Sequence, residues 1–262
     1  MSFPSPLGPG RFAGQVLTPD ATAGQRGMPG RTVAAIGGVG FTPLHLPGLA
    51  LWLDASDTST ITASGGAVSQ WNDKSGLGRN VSQATGSLQP TTGANTQNGL
   101  NVLTLSGDLL RTATTTTIAD PISVFAVSYV RSGAGVADRR VLTHNDSINW
   151  QFNEGYSISG SGATVELYAG VGVSAGATYT QGVWRVMCGV DNGTASYAAS
   201  NGIVGTIGDA GSFSLGLGAV GAKYDGTQGL DGRLAELIVC SVAVSTSQRI
   251  QTEQYLAAKW GL

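Results

Sequence analysis

Glu154, Glu166, Glu236 and Glu253 are the only glutamates in the chain, and paired-carboxylate chemistry would have to start from them. Hydrolysis of a glycosidic bond needs two carboxyl groups placed across it. A strand supplies such groups when acidic residues recur on one face, as in Glu-x-Asp-x-x-Glu, and no such array is present. Serine-hydrolase chemistry would need a G-x-S-x-G elbow, which is missing, and His144 has no obvious partner. His45 and His144 are too few and too isolated for a histidine-rich metal site. Residues 216–221, Gly-Leu-Gly-Ala-Val-Gly, fit the dinucleotide pattern G-x-G-x-x-G. The chain then continues through Ala222-Lys223-Tyr224-Asp225-Gly226, a turn, where phosphate binding requires a helix N-terminus. The glycines suit a β-hairpin better. The chain reads as non-enzymatic, with no cofactor.

The elements that would position any site are mostly strands. From Pro47 onward, short apolar or alternating segments recur between Gly, Asn, Asp and Ser turns. They are Leu49–Leu53, Ala67–Trp71, Leu100–Leu105, Ile122–Tyr129, Arg139–Thr143, Trp150–Phe152 and Tyr156–Ile158. Thr164–Ala169, Trp184–Val190, Thr194–Ala198, Phe213–Leu217 and Leu234–Val239 follow. Alternation places Val165, Leu167 and Ala169 on one face, and Trp184, Val186, Cys188 and Val190 on one face of the later strand. Regular short strands of this kind predict an antiparallel sandwich.

One segment, the last, predicts a helix. Ser245 is its N-cap and Gln248 completes a capping box. Ile250, Leu256, Ala257 and Trp260 form an apolar stripe, and Gly261 stands at the expected stop. Glu253 lies on the same stripe, so it is expected to pair with a basic or donor group beneath the helix.

Composition narrows the function classes. Charged residues are 11% of the chain, against roughly 25% in ordinary soluble domains, while Gly numbers 40. That balance suits a turn-rich β protein or one packed into an assembly. A net charge of −2 without a Lys/Arg cluster argues against nucleic acid. The first residues lack a basic then apolar signal pattern, and no apolar run nears the roughly 20 residues of a membrane span. Synthesis in a cytoplasm is expected, with Cys188 and Cys240 as buried free thiols and the sequons at Asn80, Asn145 and Asn192 accidental.

Residues 1–46 differ from the remainder. Pro4, Pro6, Pro9, Pro19, Pro29 and Pro43, with many glycines, exclude a helix or central strand. Composition alone describes a disordered tail. An ordered arm of this kind would need a surface to hold it, since it cannot offset its own conformational entropy. That surface is its own domain or a neighbouring subunit, with Phe3, Phe12, Val16, Leu17, Val33, Ile36 and Phe41 as anchors. The expected organisation is a docking arm, 1–46, followed by one domain, 47–262.

Four motifs carry a family resemblance across 47–262. They are Leu51-Trp52-Leu53-Asp54-Ala55; Trp71, Asp73, Lys74, Ser75 and Gly76; Gly232, Ala235, Glu236 and Leu237 ahead of Ser245 and Arg249; and Glu253, Tyr255, Leu256, Lys259, Trp260 and Gly261. In this order they resemble the laminin-G-like (concanavalin A-like) jelly-roll domains of bacteriophage structural proteins and bacterial surface proteins. The resemblance implies an all-β, two-sheet jelly roll with a short C-terminal helix, its ends close together, and Trp52, Trp71 and Trp260 in packing roles. Residues 1–46 lie outside the resemblance; taken with the arm, the missing signal pattern and the low charge, it leads to the expectation of a virion structural protein, anchored to capsid or tail by the arm, oligomeric, and projecting a lectin-like decoration, spike or fibre module towards host glycan. A stand-alone lectin is the alternative, with an aromatic platform at Tyr156, Tyr168 or Tyr224. Asp54, Asp57, Asn72 and Asp73 are candidate calcium ligands at a loop edge, since calcium takes six to eight oxygens. The preferred reading is that they cap turns.

Overall fold

The computed structural model describes residues 40–112, 116–133, 138–146, 149–156, 163–177 and 179–262. Of the expected arm anchors, Phe3, Phe12, Val16, Leu17, Val33 and Ile36 lie outside the described residues. The described unit runs from Gly40 to Leu262. It therefore takes in Phe41, whose ring meets Tyr255 edge-on at 5.7 Å.

The strands in chain order are β1 (Leu49–Asp54), β2 (Ile61–Ser64), β3 (Ala67–Trp71), β4 (Val81–Ser82), β5 (Thr96–Gln97) and β6 (Leu100–Asn101). Next come β7 (Leu103–Ser106), β8 (Leu110–Thr112), β9 (Thr117–Ile118), β10 (Ile122–Val130), β11 (Asp138–His144) and β12 (Gln151–Tyr156). Then follow β13 (Ala163–Tyr168), β14 (Gly172–Ser174), β15 (Trp184–Asp191), β16 (Tyr197–Ser200), β17 (Ile203–Val204), β18 (Leu215–Val220) and β19 (Asp231–Cys240). Among the described residues they form a 7-stranded sheet, order β1-β19-β10-β15-β16-β17 with β7 on β19. A 10-stranded sheet has the order β14-β13-β12-β11-β18-β8-β4-β3-β2 with β9 on β18, and β5 and β6 make a small hairpin. Every named strand pair is antiparallel. The expected all-β sandwich is the fold observed.

Alternation sorts the side chains into layers. Leu51, Leu53, Val124, Ala126 and Met187 of the smaller sheet meet Val68, Trp71, Val81, Phe152, Val165 and Leu167 of the larger one in the inter-sheet core. The outer face of the smaller sheet carries Trp52, Phe125, Val127, Cys188 and Ile238, and the helix α1 (Thr246–Trp260) covers it with Leu256 and Trp260. Both cysteines are free and buried on this face. They sit on β15 and β19, one on each side of β10, so two strand spacings of about 4.8 Å separate them, beyond disulfide reach.

The helix begins as expected. Ser245 accepts from the Gln248 amide and the Gln248 side chain closes the capping box, while Gly261 ends the helix at φ 67°. The last carbonyls are satisfied from the β5–β6 hairpin: Gln97 Nε2 donates to Trp260 O (2.8 Å) and Asn98 Nδ2 to Lys259 O (2.9 Å). Two expectations change. Ile250 is 40% exposed, and the buried stripe consists of Arg249, Thr252, Glu253, Leu256 and Trp260. Glu253 finds its partner on its own helix, Arg249 Nη1 at 2.6 Å, because an i,i+4 pair brings the two together without help from the sheet.

The glycine-rich segment 216–221 is strand β18 and its turn, not a phosphate loop. A Cβ on Gly218 would lie 2.4 Å from the Asn145 backbone N. Glycine is needed there for close strand approach.

Candidate functional site

The 10-stranded sheet turns one face to the core, and among the described residues no helix covers the other. Register sets one row of that outer face: Thr62, Gln70, Ser82, Arg111, Ala219, Thr143, Gln151 and Tyr168, each opposite the next. Three irregularities lie along the strands of the row. The register shifts between Thr62 and Ala63 opposite β3, between Arg140 and Leu142 opposite β12, and between Thr143 and His144 opposite β18, so simple alternation would misplace its members.

The row divides into two halves. Gln70, Ser82 and Arg111 are half-buried and Thr62 is exposed, so this half is open to solvent. Its edge is the 222–229 loop, which folds over the middle of the row. Thr143 Oγ1 donates to Ala222 O (3.1 Å), Arg140 Nη2 to Gln228 Oε1 (2.9 Å) and Arg139 Nη1 to Gly229 O (3.1 Å). The loop tip is tight: Lys223 N donates to Thr227 O and Gly226 N to Lys223 O, both 2.9 Å. Asp225 accepts from the Thr227 amide and hydroxyl, and those bonds hold its carboxyl below the ordinary range.

That loop presents Tyr224, 37% exposed. Arg111 holds it from below. Its Nε and Nη2 donate to Tyr224 O (3.0 and 2.8 Å), and its guanidinium lies 5.2 Å from the ring centroid. An exposed aromatic ring therefore stands beside a strip of hydroxyl, amide and guanidinium groups. In the other half, Gln151 is buried, as are Arg140, Asn153 and Glu166 in the adjacent row. Asn153 is fully buried, and neither atom of its amide meets a partner among the described residues.

The three expected platform tyrosines do not come together. Tyr168 is half-buried on β13, four strands from Arg111, about 19 Å away. Tyr156 pairs with Ala163 at the opposite end of the β12–β13 ladder from Tyr168. Only Tyr224 joins the open half of the row. The row itself could not be read from the sequence, because its members come from eight strands and are aligned only by register.

Of the candidate calcium ligands, Asp54 and Asp57 converge on ammonium groups, while Asp73 and Asn72 bond elsewhere. Lys74 Nζ lies 3.0 Å from Asp54 and 2.8 Å from Asp57, and Lys259 Nζ lies 2.7 Å from Asp54 and 2.8 Å from Glu236. Burial pushes the Asp54 carboxyl up, but Lys259, Ser56 and Lys74 outweigh it and hold it below the ordinary range. The Lys74 and Ser59 bonds lower Asp57 as well. Asp73 works as a turn cap, accepting from the amides of Trp52 (3.0 Å), Ser75 (2.8 Å) and Arg79 (3.0 Å). Asn72 accepts from Gln70 Nε2 at 2.6 Å. Among the described residues, no group of three or more His, Cys, Asp or Glu is arranged to hold a metal ion.

The centre of this cluster is Glu236, fully buried under α1. Trp52 Nε1, Trp260 Nε1 and Lys259 Nζ donate at 2.8 Å, and Tyr255 OH at 3.1 Å. Burial raises its pKa and these donors oppose the rise. Trp52 and Trp260 are thus donors to one buried carboxylate as well as packing groups, whereas Trp71 only packs in the inter-sheet core. The signal for Glu236 was a lone acid inside the apolar run Leu234–Val239.

No family model matches the chain, and no curated protein matches it. Solved structures do. Domain 4 of AbnA, a GH43 extracellular arabinanase from Geobacillus stearothermophilus solved with arabinotriose, is similar at TM-score 0.54 and 12% identity. The match covers 79% of this chain and 98% of that one. An arabinofuranosidase solved with arabinofuranosyl-alpha-1,2-xylobiose is similar at TM-score 0.50 and 14% identity. That match covers 82% of this chain and 60% of the enzyme's. These likenesses show the fold, a lectin-like β-sandwich. Among the described residues no helix is long and apolar enough to cross a membrane.

Proposed function

We propose that the chain is a non-catalytic carbohydrate-binding module, and that an oligosaccharide lies along Thr62, Gln70, Ser82 and Arg111 against the Tyr224 ring. The observation that carries this reading is the open polar row ending at an aromatic side chain fixed by Arg111. Amide, hydroxyl and guanidinium groups match sugar hydroxyls, and the ring offers an apolar surface at low entropic cost. The row contains no carboxylate, so nothing on it would cleave a glycosidic bond. The two neighbours solved with oligosaccharides support the same ligand class. Calorimetric titration of an oligosaccharide panel tests it. Tyr224→Ala is expected to weaken binding at least about tenfold, or 1.4 kcal/mol, without lowering stability.

The same module is proposed to be displayed on a phage-like particle, with residues 1–46 as the docking arm and many copies raising weak glycan affinity through avidity. The motif resemblance, the low charge and the Gly/Pro-rich composition of 1–46 support this. Removing residues 1–39 is then expected to abolish co-sedimentation with particles while glycan binding persists. Glycan binding by both forms, with no particle association that depends on residues 1–39, would favour a stand-alone lectin.

A further inference from the structure

The helix α1 covers only part of the outer face of the 7-stranded sheet. Beyond Phe125 and Val127, which lie under the helix, register places Thr104, Arg233, Tyr129 and Trp184 in one row across β7, β19, β10 and β15. Alternation puts Ser106, Asp231 and Arg131 on the same face, two residues further along their strands.

The row is an aromatic and basic strip. The Arg233 guanidinium lies 4.9 Å from the Tyr129 ring centroid, and the Tyr129 and Trp184 rings are 5.5 Å apart at 42°. All three side chains are half-buried. The two arginines differ in charge balance. Arg131 is neutralised by Asp231, donating from Nε (2.9 Å) and Nη2 (2.6 Å) to its two carboxylate oxygens. Arg233 meets no carboxylate and no hydrogen-bond acceptor among the described residues, so the tyrosine ring holds its fork in place without an anion on it. Thr104 Oγ1 accepts from Asn95 Nδ2 at 3.0 Å, which leaves its own proton to donate.

These groups line a depression of about 180 Å³. Trp184 also lines a larger hollow beside α1, about 700 Å³, where Val183, Ile250 and Leu262 are exposed and Asn201 and Gln254 supply amides. That volume falls within the roughly 300–1,000 Å³ of small-ligand pockets.

We propose that this strip is a second carbohydrate site, one that takes a carboxylate-bearing sugar. The carboxylate lies on the Arg233 fork and the Thr104 hydroxyl, the sugar ring rests against Trp184, and the adjoining residue enters the hollow beside α1. Charge and shape set the class. A guanidinium fork matches a planar carboxylate with two parallel bonds. Two guanidiniums and one carboxylate leave a surplus of one positive charge, which suits a monoanion, and Asp231 would repel a doubly charged phosphate. The aromatic pair offers the sugar an apolar surface at low entropic cost. The ligand class extends the carbohydrate-binding reading, but the surface is a different one. Arg111 and the Tyr224 loop belong to the 10-stranded sheet, so either site can fail without the other.

The test is N–H chemical-shift mapping of the full chain, titrated with glucuronate, galacturonate and N-acetylneuraminate, each beside its methyl ester. At least one acid is expected to give saturable shifts at the Trp184 indole N–H and the Arg233 Nε–H, with its ester at least about tenfold weaker. Arg233→Gln, which keeps a polar side chain without the charge, should remove those shifts, and Tyr224→Ala should leave them unchanged. No saturable shift at these two groups with any of the acids, or equal affinity for acid and ester, would overturn the proposal. Shifts confined to Arg111 and the 222–229 loop would also overturn it, while leaving the Tyr224 reading standing. The comparison of acid with ester decides the matter even if Arg233→Gln fails to fold.

Discussion

Lys259→Met tests how the C-terminal helix is held. Lys259 is the ammonium between Asp54 and Glu236, at 2.7 and 2.8 Å, and both carboxylates are almost wholly buried. Methionine keeps most of the stem and its packing while removing the charge. Removing one partner of a buried pair costs roughly 3–5 kcal/mol, since the other charge is left uncompensated. Here Asp54 keeps Lys74 and Ser56, and Glu236 keeps Trp52, Trp260 and Tyr255, so the lower end applies, about 3 kcal/mol. For a domain of this size that is a Tm loss of about 6–12 °C. The pH dependence gives a second reading. In the wild type the lowered Asp54 value means stability is lost as pH falls through it. In the variant both carboxyls are expected to sit higher and to gain by protonation, so the gap between the proteins should narrow from pH 7 to pH 4. Urea denaturation followed by circular dichroism at both pH values measures this. A cost below 1 kcal/mol, or a gap independent of pH, would refute the reasoning.

The thiols of Cys188 and Cys240 should resist alkylation in the native state. Burial raises both, Cys240 to about 12, so titration with a thiol reagent should show two reactive groups only after unfolding. Gly218→Ala should cost several kcal/mol or prevent folding, because its Cβ would meet the Asn145 backbone at 2.4 Å rather than a flexible side chain. Thermal melts of the variant, or its failure to accumulate in soluble form, check that.

Local signals carried the fold. Strand alternation at Thr164–Ala169 and Trp184–Val190, the Ser245 cap and the Gly261 stop depend on near neighbours in sequence, and the structure has them where expected. The motif acids were legible as a group, since Asp54 ends β1 and Asp57 and Asp73 lie in the connections that follow β1 and β3. Their lysine partners were not, because Lys259 is brought to Asp54 only by helix docking across 205 positions. The open row depends on register and on irregularities opposite Thr62 and Arg140, which alternation does not reveal. Ile250 was misplaced because Arg249 and Glu253, by neutralising each other, could occupy the buried position that hydropathy assigned to an apolar side chain.

The most direct test of the carbohydrate-binding reading is amide and side-chain chemical-shift mapping of the full chain, titrated with an oligosaccharide that binds it. The account predicts saturable shifts at Gln70, Ser82, Arg111 and the 222–229 loop, lost in Tyr224→Ala. Shifts confined to the α1 side of the molecule, or unchanged by that substitution, would contradict it.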